Sequence, residues 1–399
     1  LEEATKEIYS EEFYNGTLKE IFGEFANRKV YEVKDEIINK FISKNVAIKY
    51  FTLPVRFESR YGGKVIVKIV KDQWFIKYSD ENWKKLAHKC VEKMDFLPEN
   101  LKEQFHKLID WYKDWACVHS KELGTEFPFD PNWTIESLSD STIYMAYYII
   151  AKYAKELEKN IEKIDDSFFD YVFLGIGNEK EISKRIGISE ELLNQIKKDF
   201  EYWYPVDLRT SGKDLIQNHL VFYIFHHTAI FPEKYWPKCI AINGWVLMDG
   251  KKMSKSLGNV IPMLFAAENY SIDAIRFLLA LAGETGLEDA NIEFSKIKDV
   301  EEELKQIYNF VIENYNKGRE NENFIDEWFL NFLAKKIEEA EKFYEKLMFK
   351  SVLEKCYFEV KNAWKWYLKR VQPSKKCINA YIDYLLSILY PIVTHLISE

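Results

Sequence analysis

The sequence predicts two fold classes in one chain, an α/β part followed by an all-α part. Up to residue 292, short apolar runs and glycine turns alternate with helical periodicity. From residue 293 the period-two runs stop, and apolar residues recur only at helical spacing. The 399 residues, 47% of them hydrophobic, suffice for more than one core and exclude a disordered chain. The expected parts are residues 1–53, 54–95, 96–292 and 293–399.

Residues 1–53 read as helical, with Val33, Ile37, Ile38, Phe41 and Ile42 on one face. A β-hairpin and a connecting segment follow over 54–95. In it "PVRFES" and "KVIVKIVK" flank Tyr61-Gly62-Gly63, and Val65, Val67 and Ile69 share a face. Helical patterning returns over 80–115, broken at Pro98, before a loop marked by Gly124, Pro128 and Pro131. "STIYMAYYIIAKYAKELEK" reads as one tyrosine-rich helix. "YPVDLRTSGKDLIQNHLVFYIFHHTAIF" reads as a short strand, a glycine turn at Ser211-Gly212 and a helix. "KCIAINGWVLMDGKKMSKS" reads as a strand pair turned by Met248-Asp249-Gly250, because glycine tolerates the positive φ of a tight hairpin. Two helices follow, one opened by Pro262 and one capped by Ser271.

Beyond residue 293, three apolar series step by three and four: Val300 to Val311, Leu330 to Leu347, and Leu353 to Tyr367. With short connections, one of them "KGRENENF", they predict an antiparallel helical bundle. Cys90, Cys117, Cys239, Cys356 and Cys377 form no CxxC pair, so neither a disulfide framework nor a zinc site is expected. The net charge of −8 argues against a generally basic nucleic-acid binder but leaves room for a local basic face. No apolar run approaches the roughly 18–20 residues of a membrane span. The chain opens on Leu1 without a signal peptide, which suggests a segment of a longer protein or a processed product. A cytoplasmic protein with no membrane partner is expected.

The stretch "GKKMSKSLGN" packs three lysines and two serines into a glycine-bounded loop. It is not a Walker loop: Gly244 and Gly250 enclose five residues, and Lys251 is followed by Lys252. Lys252-Met253-Ser254-Lys255-Ser256 instead matches the KMSKS signature, and with "LGNVI" and "SIDAIRFLLA" it resembles the class I aminoacyl-tRNA synthetases. "SLSDSTIYMAYYIIAKY", "IDWYKDWACVHSKELGTEFPF", "KIVKDQWFIKY" and the run from Tyr204 to Met263 resemble the leucyl members of archaeal or eukaryotic type. That resemblance implies the second half of a Rossmann-type catalytic core over 96–292. It also implies a helical return from the editing insertion before the core, and an anticodon-binding-type bundle after it.

The family's chemistry makes sense of the residue types. Amino-acid activation attacks the α-phosphate of ATP and expels pyrophosphate, so catalysis is largely positioning and charge stabilisation. The resemblance implies catalytic roles for Lys252 and Lys255, and ATP contacts from Lys252, Met253, Ser254, Lys255 and Ser256. It also sets Gly212 and Asp214 against the ATP ribose, although Asp214 also suits a plain helix cap. Tyr144, Tyr147 and His219 take the amino-acid pocket, where the alternatives are a buried aromatic stripe and a structural histidine. Asp140 and Asp207 are carboxylates that orient substrate or brace the fold. Implied substrates are ATP with Mg²⁺, leucine and tRNA(Leu), with no resident metal. Leucine differs from its rivals by as little as one methylene, worth only about 1–3 kcal/mol, which is why the family carries an editing domain.

The sequence departs from the family at three places. None of its seven histidines forms HxGH, so a partner half bearing that motif is expected, on the same polypeptide or as a separate subunit. The family's ribbon cysteines are absent around "FESRYGGK", and "VHS" follows "WAC" where relatives tend to be arginine-rich. In the bundle, Lys361, Lys365, Lys369, Arg370, Lys375 and Lys376 crowd one stretch with Trp364, Trp366 and Tyr367 interleaved. That composition suits tRNA contact, or an amphipathic helix with a lysine face and a Trp core. Two other readings stay open: a synthetase-derived tRNA-binding protein without catalysis, and a class I enzyme for isoleucine, valine or methionine.

Overall fold

The computed structural model describes residues 2–59, 62–120, 123–253 and 258–399. They form two compact units that divide between Gln73 and Trp74, rather than at 53/54 or 95/96.

The first unit holds helices α1 (Glu2–Asn15) and α2 (Val30–Ser43) with a 3₁₀ segment, Glu20–Phe25, between them. An antiparallel bridge joins Thr17 to Lys29, and Arg28 forks onto Glu36 at 3.0 and 2.9 Å. Of the five residues expected on one buried face, Val33 alone is buried. The expected hairpin contracts to one bridge, Glu58 to Lys64, with Val65 N donating to Phe57 O at 3.1 Å. Val65, Val67 and Ile69 stay exposed, since no layer covers the alternating face. Tyr61 of the expected turn lies outside the described residues.

The second unit opens with β1 (Phe75–Ile76) and α3 (Glu81–Lys93), which Asp80 caps by accepting from Asn82 N and Trp83 N. Strand β2 (Asp95–Leu97) and α4 (Leu101–Trp111) follow. The sequence does not announce β2, because three residues are too few for alternation to register. Strand β3 (Trp115–Ala116) pairs with β1, and β4 (Val118–His119) pairs with β5 (Thr134–Ile135). The single helix expected after Ser141 is instead divided, with α5 (Ser137–Asp140), α6 (Tyr144–Ala151) and α7 (Ala154–Leu157) in its neighbourhood. Helices α8 (Asp166–Phe169), α9 (Glu179–Ile186) and α10 (Glu190–Trp203) complete a helical layer whose core includes Ile150, Phe168, Leu193 and Phe200. Gly187, at φ 86°, ends α9, and the Ser189 hydroxyl caps α10.

The central sheet comes next. Strand β6 (Arg209–Gly212) leads through a 3₁₀ turn, Lys213–Leu215, into α11 (His219–Ile230), and β7 (Cys239–Asn243) returns. The order is β2-β7-β6, all parallel, with Gly212 opposite Asn243. Helices α3, α4 and α11 pack on it through Val91, Phe105, Leu220, Ile224, Ile240 and Ile242. A second sheet of order β10-β8-β9 joins β8 (Val246–Met248) to β9 (Lys251–Lys252) antiparallel. Asp249 and Gly250, at φ 48° and 75°, make the tight turn between them. Helices α12 (Met263–Asn269) and α13 (Ile272–Ala282) follow, with Pro262 and Ser271 at their starts, before β10 (Ala290–Ile292), which runs parallel to β8.

Helices α14 (Ile297–Asn314), α15 (Phe324–Glu345), α16 (Phe349–Ser351), α17 (Glu359–Leu368), α18 (Lys375–Leu389) and α19 (Thr394–Ser398) form the bundle. Its core extends across residue 292, since Ala274, Phe277 and Leu278 of α13 pack with Leu353, Tyr357 and Leu389. Arg276 donates to Ile392 O at 2.7 Å and Pro391 O at 2.8 Å, tying α13 to the C-terminal turn. Among the described residues, no helix is long and apolar enough to cross a membrane.

Candidate active site

In open parallel sheets, ligands bind outside the carboxyl ends of the strands. Gly212 ends β6 and Asn243 ends β7 at that edge. Gly212 has ordinary extended geometry, φ −75° and ψ 153°. A Cβ there would meet the Asp214 carboxylate, with Oδ1 at 2.7 Å and Cγ at 3.9 Å, so the glycine leaves room for that carboxylate rather than for an unusual backbone. Asp214 is exposed in the 3₁₀ turn and does not cap α11; Asn218 does, accepting from His219 N at 2.6 Å.

Beyond β7 the chain passes Gly244, where a Cβ would lie 1.9 Å from Glu288 O. Only glycine permits that crossing, and it brings the next residue, Trp245, against the loop before β10. Trp245 N donates to Asp289 Oδ1 at 2.8 Å, and Lys213 Nζ pairs with the same oxygen at 2.6 Å. The hydrogen bond from Lys213 is the main cause that holds the Asp289 carboxyl below its usual range. Lys213 Nζ stands 5.0 Å from the Trp245 ring centroid, and Lys252 Nζ stands 3.8 Å from it. One indole thus bridges the Gly212–Asp214 turn and the hairpin that carries Lys252. Gly250 N donates to Asn291 Oδ1 at 2.7 Å, and Asn259 Nδ2 donates to Lys252 O at 3.1 Å, fixing the hairpin. Met253 is half-buried. Ser254, Lys255 and Ser256 lie outside the described residues.

Tyr144 and His219, two of the three expected pocket residues, each find a partner far along the chain. Tyr144 Oη accepts from Arg209 Nη1 at 2.9 Å. His219 is buried, with Nε2 3.3 Å from Ser141 O, and burial pushes its pKa down. Helix α6 buries Ala146, Ile149 and Ile150, which turns Tyr147 outward at 64% exposure. Asp140 accepts from Thr125 Oγ1 at 2.8 Å and Asp207 pairs with Lys238 at 2.7 Å, so both brace the fold.

In the bundle the basic run divides. Lys361 pairs with Glu303, Lys375 with Glu320 at 3.9 Å, and Lys376 with Glu322 at 3.0 Å. Lys365 and Lys369 are exposed and form no ion pair among the described residues. Arg370 stacks 3.4 Å from the Trp366 ring centroid, and Trp328 packs on that ring at 4.6 Å. Trp364 and Tyr367 are buried in the core instead. Among the described residues, no group of three or more His, Cys, Asp or Glu is arranged to hold a metal, and four of the five cysteines are buried.

Sequence reasoning missed Arg209, Lys213, Trp245 and Asp289. Lys213 lies between two residues it did select and Arg209 stands near them in the same stretch; Trp245 and Asp289 meet across 44 positions, which no local pattern reveals.

Residues 20–293 match the family of tRNA synthetases class I (I, L, M and V), and residues 326–399 match the anticodon-binding domain of tRNA ligase. The whole chain is 47% identical to a leucine–tRNA ligase of Nanoarchaeum equitans, covering 41% of it. It is 43% identical to that of Aeropyrum pernix and 42% to that of Methanocaldococcus jannaschii, covering 42% and 43% of them. The chain thus spans about two fifths of the length of these relatives. In fold it is similar to Mycobacterium tuberculosis methionyl-tRNA synthetase in complex with methionyl-adenylate: TM-score 0.58, 15% identity, 87% of this chain and 66% of that one. The parallel β2-β7-β6 sheet, the KMSKS sequence motif and the family match over residues 20–293 together show that the chain belongs to the class I tRNA synthetases of the isoleucine, leucine, methionine and valine group.

Proposed function

We propose that this chain is part of a leucine–tRNA ligase, which joins leucine to ATP as leucyl-adenylate and passes leucine to tRNA(Leu). The observation that carries the reading is the meeting of Lys252 and the Lys213–Asp214 turn at Trp245, beyond the carboxyl ends of β6 and β7. In activation a leucine carboxylate oxygen bonds to the α-phosphorus while the bond to the bridging oxygen breaks, and pyrophosphate leaves with the electron pair. Lys252, with Lys255 of the same motif, offsets charge on the departing phosphates. Asp214 accepts from the ribose hydroxyls, and Gly212 keeps that carboxylate unobstructed. Mg²⁺ accompanies ATP as part of the substrate. In transfer, a terminal tRNA hydroxyl attacks the leucyl carbonyl and AMP leaves. The exposed Lys365, Lys369 and Arg370 contact the tRNA backbone. The work belongs in the cytoplasm, where charged tRNA is used.

The sequence contains no HxGH, and β6 pairs on one side only among the described residues. Both support a partner half that completes the nucleotide site. The test is leucine-dependent ATP–pyrophosphate exchange by the chain alone and with the HxGH-bearing half. No exchange alone and robust exchange with both is expected. Robust exchange by the chain alone overturns the divided site. Salt-sensitive tRNA binding without exchange by the pair replaces the ligase with a non-catalytic tRNA binder. Exchange driven better by isoleucine, valine or methionine reassigns the substrate.

A further inference from the structure

Apart from the candidate active site, helices α3 and α4 carry four titratable side chains in one row. His88 and Glu92 stand four apart on α3, and His106 and Asp110 four apart on α4, so each pair shares a face of its helix. The partners cross between the helices. His88 Nε2 lies 2.9 Å from Asp110 Oδ1. Glu92 Oε1 stands 3.0 Å from His106 Nε2, off the line of a hydrogen bond. Between these ends the two Nδ1 atoms face each other at 2.7 Å. The ring centroids are 5.0 Å apart and the planes 17° apart, so the rings meet edge to edge.

An ionised carboxylate only accepts. Asp110 and Glu92 therefore favour a proton on Nε2 of each ring, which leaves both Nδ1 lone pairs aimed at one another. Two acceptors that close repel unless a positive centre lies between them. One shared proton meets that need, giving three protons on four ring nitrogens. A metal ion held by two neutral imidazoles meets it too. The surroundings suit the metal, because a ligating histidine almost always gives its other N–H to a carboxylate, a carbonyl or water that fixes the ring. The nearby lysines act on the carboxylate residues rather than on the rings: Lys102 pairs with Glu92 Oε2 at 3.6 Å, and Lys84 donates to Asp110 O at 2.8 Å. The side chains of His88 and His106 are 29% and 24% exposed, enough for an ion to enter and for water to join its shell. Imidazole nitrogen suits zinc, whereas magnesium and calcium take oxygen. Two zinc–nitrogen bonds of about 2.0–2.1 Å at a tetrahedral angle set the nitrogens about 3.3 Å apart, so the rings part by only about half an ångström from their 2.7 Å separation.

We propose that His88 and His106 form a two-histidine site for a zinc ion, which takes the place of the shared proton and staples α3 to α4. Asp110 and Glu92 orient the rings, and water completes the coordination, since no group of three protein ligands is arranged for a metal among the described residues. The site stands independently of the ligase reading. The test is isothermal titration calorimetry of the chain with zinc chloride at neutral pH, repeated in buffers of different ionisation enthalpy to count protons. A thermal melt accompanies each variant.

The wild type is expected to bind a single zinc ion, to release about one proton as it does so, and to melt at a higher temperature with zinc than without. His88→Ala and His106→Ala each abolish the binding and the zinc-dependent rise in melting temperature. Asp110→Asn and Glu92→Gln keep both ligands and weaken binding roughly ten- to a hundredfold; they also test the site if a histidine variant fails to fold. Magnesium chloride in place of zinc gives no binding heat that the histidine variants remove. A wild type that binds no zinc, zinc binding that survives the loss of either histidine, or binding without proton release overturns the site.

Discussion

Lys252 sits on an indole face, 3.8 Å from its centroid, and forms no ion pair among the described residues. A charge held that way stays free for phosphate, since a cation–π contact at an exposed site is worth only about 0.5–1 kcal/mol. Lys252→Ala in the assembled enzyme is expected to lower kcat of exchange by roughly a hundredfold, the scale of losing one preorganised charge-stabilising group, with little change in leucine KM; steady-state kinetics check it. Gly212→Ala makes a different kind of change. The backbone there is ordinary, so the melting temperature is expected to hold. The new methyl meets Asp214 Oδ1; in the proposed nucleotide site this displaces the carboxylate from the ribose, and the ATP KM is expected to rise by about tenfold, as one hydrogen bond to a charged group is worth. Kinetics and a thermal melt on the same variant separate the two effects.

Among the elements, α15 is held at its start by a single buried carboxylate. Asp326 is 0% exposed and accepts from Asn323 N at 2.6 Å, Arg319 Nη2 at 2.5 Å and the Tyr367 hydroxyl. Asn323 Oδ1 in turn accepts from Asp326 N, completing a capping box. Burial pushes this carboxyl up, but the hydrogen bonds from Tyr367, Arg319 and Asn323 outweigh it and hold the pKa at about 2. The folded value lies below the unfolded 3.8. Its stabilisation is therefore present above the unfolded value and is lost as pH falls through about 2. Asp326→Ala removes the acceptor shared by Asn323 N, Arg319 and Tyr367 and is expected to cost about 1–3 kcal/mol. It should also flatten the acid limb of the stability profile; urea unfolding from pH 5 downward reads both. The strands differ in how much of them was legible. The turn at Asp249-Gly250 is readable because the dipeptide itself takes positive φ. Strand β2 is not, because its three residues are strands only through pairing with β7.

For the whole molecule, the net charge of −8 leaves tRNA attraction to local patches. Six basic residues crowd the sequence between 361 and 376, but glutamates from other elements pair with three of them. Replacing Lys365, Lys369 and Arg370 by glutamine is expected to flatten the log–log salt dependence of tRNA binding by about 2–3, at roughly 0.7–0.9 for each phosphate no longer neutralised. The same change at Lys361, Lys375 and Lys376 should alter it less; filter binding across a salt series compares the two triples.

By itself, the sequence determined what neighbouring residues decide: the KMSKS motif, the tight hairpin turn, the Ser271 cap and the helical periodicity of the bundle. These depend on interactions a few residues apart, where side-chain type and spacing carry the physics. Only the tertiary structure decided that Trp245 bridges Lys213 and Lys252, that Tyr147 turns outward while Tyr144 holds Arg209 across 65 positions, and which basic residues keep their charge unpaired. Those outcomes depend on which surfaces packing brings together, and no spacing along the chain encodes a meeting between residues so far apart.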